Sequence, residues 1–143
     1  MKRINLIALA LSLLTLVSGC SAAGPDKDTT EAPGNESGYL QISQEEAMRI
    51  MKEESGYVIL DVRTESEFAE AHIPGAICIP VETIESLSEA PIEGLPDKDQ
   101  TILVYCRSGR RSKIAAAKMA DLGYSKVLEF GGIITWTGET VTD

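Results

Sequence analysis

The stretch TILVYCRSGRRSKIAAAKMADLG, residues 101–123, decides the fold. TILVY (101–105) is an unbroken apolar run, the pattern of a strand buried on both faces of a parallel sheet. From Ser112 to Leu122 the period changes. Ala115, Met119 and Leu122 recur at i, i+4 and i+7, one face of a helix, and Gly123 supplies the stop. Between strand and helix lies CRSGRR, a thiol followed by three arginines and two small residues. A strand, a short loop and a helix in this order form half of a βαβ unit, and ligands of such sheets bind beyond the carboxyl ends of the strands. Cys106 stands at that edge.

Outward from this unit the same alternation repeats. YLQI (39–42) reads as a short strand. Ser43 opens a helix, with Glu46 three residues on as in a capping box, and Ala47, Ile50, Met51 and Glu54 lie on one face before Gly56. YVILDV (57–62) is a second buried strand ending in an acid. ESEFAEAH (65–72) is a short helix stopped by Ile73-Pro74-Gly75. AICIPV (76–81) is a third strand, and residues 82–100 hold a short helix around Ile84–Leu87 and a loop. After TILVY, KVLEF (126–130) is the fifth strand, GGIITW opens a last short helix, and the polar tail TGETVTD predicts a frayed end. Five strands alternating with helices predict an α/β domain with a parallel sheet covered on both faces.

The domain occupies residues 39–143. Ahead of it, MKR is a positive n-region and LIALALSLLTLV (6–17) an apolar core of twelve residues, short of the ~20 that span a bilayer. Cys20 follows after small residues. Residues 1–19 are therefore expected to be an export signal. They resemble the signal of bacterial lipoproteins, which is cut before a cysteine that carries the lipid. That resemblance implies an exported domain, anchored to a membrane through lipid on Cys20 and facing the periplasm or extracytoplasmic space. SAAGPDKDTTEAPGNESG (21–38) has no apolar period and reads as a flexible linker with an rms reach of about 20–25 Å. The net charge of −9 argues against nucleic acid as a partner.

In an acidic chain the cations after Cys106 form a local island. Ser108 and Gly109 let the loop curl so that successive N–H groups converge, a nest that stabilises an anion. A thiol inside such a nest is held as its thiolate. The chemistry expected is a sulfur nucleophile with an anionic substrate beside it. One histidine and three scattered cysteines make no metal site, and no cofactor is expected.

DVRTESEF (61–68), HIPGAICIP (72–80), YCRSGRRS (105–112), Leu122-Gly123-Tyr124 and GGIITW (131–136) together resemble a single-domain rhodanese, a sulfurtransferase, from about Gly38 to Asp143. The order and spacing of the five blocks carry the likeness. The resemblance implies a rhodanese-like fold and transfer of a sulfane sulfur through a persulfide on Cys106. The N–H groups of Arg107, Ser108, Gly109, Arg110 and Arg111 would cradle the outer sulfur. Arg111 would be its fixed positive end, and Arg107 would select an anionic donor. Asp61, Arg63 and Glu67 read as support, with Asp61 and Arg63 bracing the loop or each other and Glu67 pairing with Arg63. His72 reads as a turn or cap group and Trp136 as a core or rim aromatic. The partners implied are thiosulfate or a persulfide as donor and a thiol or cyanide as acceptor, used by a monomer.

Two further readings stand beside this one. Phosphatases and arsenate reductases on the same fold use Cys-x5-Arg, which leaves room for a tetrahedral oxyanion. Here Cys106 to Arg111 is Cys-x4-Arg, and Ser112 follows. A tethered module that carries sulfur or binds a partner without turnover is the other. Cys78 stands where the family suggests a polar residue. In the family's strand order it lies on an edge strand, two spacings of about 4.8 Å from the strand leading to Cys106. It is therefore expected to be a small hydrophobe and not a disulfide partner.

Overall fold

The computed structural model describes residues 38–143, so the export signal, Cys20 and all of the linker but its last residue, Gly38, lie outside the described residues. The elements run β1 (Leu40–Gln41), α1 (Gln44–Glu53), β2 (Val58–Asp61), α2 (Glu65–Glu70), β3 (Ala76–Cys78), α3 (Val81–Ser86), β4 (Ile102–Cys106), α4 (Arg110–Asp121), β5 (Val127–Gly132) and a 3-10 turn at Ile133–Thr135. All strand pairs are parallel, in the order β1-β5-β4-β2-β3.

Alternation along the strands builds two cores. Leu60, Ile102, Val104, Cys106 and Val127 point to one face and pack with Val81 and Ile84 of α3 and Ala115, Ala116 and Met119 of α4. Ile59, Leu103, Tyr105 and Phe130 point to the other and meet Ala47 and Ile50 of α1. The period of two thus puts the Cys106 side chain on the α4 side of the sheet, at the strand end from which α4 departs.

Several boundaries differ from those read in the sequence. α4 begins at Arg110, two residues before Ser112. Its N-cap is Gly109 at φ +96°, and no side chain caps it. Glycine takes that left-handed turn at no steric cost, and the two arginines are good helix formers. The cap at Ser43 is only half of a box. Its hydroxyl accepts from Glu46 N at 3.1 Å, while the Glu46 carboxylate turns to Arg49. A complete capping box closes α2 instead, between Thr64 and Glu67. β5 runs on to Gly132, past Phe130. The tail is docked as well: Val141 pairs antiparallel with His72, with both N–H···O bonds at 2.8 Å.

Candidate active site

Cys106 is the last residue of β4 and is 1% exposed. The loop after it turns back over the sulfur. Gly109 N–H donates to Cys106 Sγ at 3.1 Å. Burial pushes the thiol pKa up. In the thiolate form, hydrogen bonds from the Ser112 hydroxyl and from the amides of Ser112, Ser108 and Gly109 pull it down, and the net direction is below the ordinary thiol value. The sulfur therefore occupies the place that a capping side chain would take at the start of α4, and amides left unpaired by the helix converge on it. Backbone packing fixes the loop's height above the sheet: a Cβ at Gly132 would overlap the carbonyl of Arg107.

The three arginines divide. Arg111 forms a two-pronged pair with Glu67, Nη1 to Oε2 at 2.7 Å and Nη2 to Oε1 at 2.8 Å, and stays within reach of the field of Cys106. The guanidinium beside Glu67 holds that carboxyl well below its usual range, at about 2. A depressed carboxylate pKa stabilises the folded state above the unfolded value, so this latch persists at neutral pH and is lost only as pH falls towards 2. Arg107 and Arg110 are exposed and make no ion pair among the described residues.

Asp61 and Arg63 brace each other, one of the two arrangements expected of them, while Glu67 departs from expectation. Glu67 does not pair with Arg63. Arg63 is engaged by Asp61, Nη2 to Oδ2 at 2.6 Å and Nε to both carboxylate oxygens at 3.0 Å, and Nη2 also donates to Ala71 O at 2.7 Å. Asp61 is fully buried and Arg63 is 5% exposed. The geometry explains the exchange. Arg63 precedes the helix that carries Glu67 and folds back onto the strand end, which leaves Glu67 facing the loop and Arg111. His72 is a turn group, with Nδ1 at 2.9 Å from Phe68 O and its ring stacked on Phe68. Trp136 packs against Phe130, ring centroids 5.6 Å apart.

Two residues belong here that sequence reasoning did not place. The Ser112 hydroxyl lies 3.5 Å from Cys106 Sγ and donates to Glu129 Oε1 at 2.6 Å. Glu129 is 2% exposed, and its Oε1 also accepts Gly131 N–H at 2.9 Å. The signal was a lone acid inside a central strand, two residues ahead of Gly131-Gly132.

A rhodanese-like domain model matches residues 43–139, which covers the whole loop and all but the first strand. The chain belongs to the rhodanese-like family. Among the family's curated members it is 36% identical over 98 residues to a protein of Allochromatium vinosum named sulfurtransferase, an alignment covering 67% of this chain and 86% of that one. It is 35% identical over 74 residues to the Escherichia coli thiosulfate sulfurtransferase PspE, covering 52% of this chain and 68% of that one. Its fold matches a solved rhodanese with anions from Escherichia coli at TM-score 0.54 and 30% identity, over 61% of this chain and 99% of that one. The rhodanese sheet also settles the strand order around Cys78. β3 is an edge strand and β2 lies between it and β4.

Cys78 is free, half-buried, and its Sγ lies 3.6 Å from Arg63 O. Burial first, then the Asp61 and Glu65 charges, push its pKa up to about 11. It is a poor nucleophile at neutral pH. Cys78→Ala is expected to keep most sulfur-transfer activity and to leave the Cys106 thiol count unchanged after mild oxidation. A Cys78–Cys106 cross-linked peptide from native monomer would contradict both this and the strand order.

Proposed function

We propose that the domain is a thiosulfate or persulfide sulfurtransferase with Cys106 as its nucleophile. The observation that carries the reading is the Gly109 amide aimed at Cys106 Sγ at 3.1 Å inside a four-residue loop. The names of the relatives support the class. In the first step the Cys106 thiolate attacks the outer sulfur of thiosulfate. A new S–S bond forms, the old one breaks, and sulfite leaves with the bonding pair. In the second step cyanide or a thiol takes that sulfur and the Cys106 thiolate departs. Splitting the transfer in two lowers each barrier, and the nest stabilises the anion in both. Because Cys106 is 1% exposed, the donor must thread a single sulfur atom into the loop. The short Cys-x4-Arg spacing suits one sulfur better than a tetrahedral oxyanion.

A thiosulfate:cyanide assay tests this, with thiocyanate release expected from wild-type protein and its absence counting against the reading. Arg107, exposed beside the loop, is assigned to donor capture. Arg107→Ala should raise KM for thiosulfate by about tenfold, the loss of one partly screened charge-assisted contact, with kcat and persulfide donors little affected. Equal losses with both donors would instead make Arg107 a shaper of the loop.

We further propose that the protein is a lipid-anchored, exported enzyme, on the strength of Cys20 and the segment before it. Cys20→Ala should move the protein from the membrane fraction to an unprocessed or soluble form. An unchanged fractionation would remove the anchor from the account.

A further inference from the structure

Glu129 is a buried ionisable group that the transfer steps above do not use. Its carboxylate lies under the catalytic loop, where a Cβ on Gly109 would come within 3.9 Å of Oε1. It makes no ion pair among the described residues. Of the elements packed on β5, β1 and α1 face it with the uncharged Gln41 and Gln44. β4 and α4 bring Cys106 and Ser112, and Lys113 lines, with Glu129, Gln41 and Gln44, an open cavity of about 350 Å³. Arg111 is turned to Glu67.

A hydroxyl has one hydrogen to give. That of Ser112 goes to Glu129 in a short 2.6 Å bond. Ser112 then offers the sulfur only a lone pair, and the 3.5 Å contact has Cys106 S–H as its donor. This chain of hydrogen bonds runs in one direction, from thiol to hydroxyl to carboxylate.

We propose that Ser112 and Glu129 form a proton relay that takes the Cys106 proton when the thiol ionises. The S–H bond breaks as its proton moves to Ser112 Oγ, and the original Ser112 proton moves to Glu129 Oε1. The sulfur keeps the electron pair, Ser112 stays neutral and Glu129 becomes a neutral acid. The reversed chain now points a Ser112 O–H at the thiolate, adding a donor to the amide nest. The transfer also moves the negative charge from Glu129, which has no ion-pair partner among the described residues, to the sulfur, where the amide nest meets it. The relay matters in each turnover with a thiol acceptor: the departing Cys106 thiolate takes up that thiol's proton, the relay passes it to Glu129, and Glu129 gives it up to solvent through the groove that it lines before the next turnover. Neither residue touches substrate, so both act as positioning residues for the nucleophile. The inference rests on the reading of Cys106 as nucleophile, but its test needs no sulfur donor.

The test is the pH profile of Cys106 alkylation by iodoacetamide in the full chain, followed on the Cys106 peptide by mass spectrometry. Glu129→Gln keeps an oxygen for Ser112 and Gly131 but cannot take a proton. Its alkylation midpoint should move up by about one pH unit, a roughly tenfold slower reaction at pH 7, with equal rates above pH 9. Ser112→Ala should shift the midpoint the same way, and the double variant should add little to either. An unchanged midpoint in both variants overturns the proposal. So does a faster reaction in Glu129→Gln, which would mean that the carboxylate acts only as a negative charge beside the sulfur. If Glu129→Gln does not fold, Ser112→Ala decides alone, with the same expected shift and the same overturning result. Loss of thiosulfate activity in wild type with the alkylation shift intact would remove the sulfurtransferase reading and leave the relay standing.

Discussion

Cys106→Ser is expected to abolish sulfur transfer, by about 10³-fold or more, while leaving the melting curve nearly unchanged. The replacement is close to isosteric. A serine hydroxyl at 106 can accept the Gly109 N–H that now meets the sulfur at 3.1 Å and can donate towards Ser112. No buried polar group is orphaned, and the stability change should stay within about 1 kcal/mol. The chemistry fails because an alkoxide is not formed at neutral pH in a site tuned for a thiolate, and because oxygen cannot carry a transferable sulfane sulfur. The check is thiocyanate release beside a thermal melt of the same sample. Turnover that survives in the variant would move the nucleophile elsewhere.

The second large effect is on stability. Arg63→Ala should cost about 3–5 kcal/mol, the penalty for leaving a buried carboxylate without its cation. Asp61 is fully buried, and apart from the Arg63 backbone N–H at 2.9 Å its oxygens are bonded chiefly by the Arg63 side chain. The same substitution also releases Ala71 O, which Arg63 Nη2 now satisfies. The double variant Asp61→Ala/Arg63→Ala should lose less than Arg63→Ala alone, because it removes the stranded charge. Urea denaturation of the two variants checks this. A loss below 1 kcal/mol in the single variant, or a double variant less stable than it, would show that the pair is not what holds the end of β2.

Much of the fold was legible because the sheet is parallel and buried on both faces. YVIL (57–60) and ILVY (102–105) are runs with no charged interruption, and each is followed by a change to helical period. The strand order needed the family resemblance, since parallel pairing leaves no local turn to read. The active loop was legible from composition: a thiol, small residues and cations at a strand end. What the sequence did not display are contacts between residues far apart in the chain. Glu67 and Arg111 are separated by 44 positions, and local helix spacing pointed to Arg63 instead. Nothing in VLEF itself marks Glu129 as a residue of the site. Glu129 is buried because β5 lies between β1 and β4 and its side chain runs beneath the loop.

The most direct test of the account is the mass of the Cys106 peptide after incubation with thiosulfate and removal of excess donor. The account predicts one added sulfur atom on Cys106, about 32 Da, absent from Cys78 and discharged by cyanide with release of thiocyanate. An unmodified Cys106, or a sulfur that appears on Cys78 instead, would contradict it.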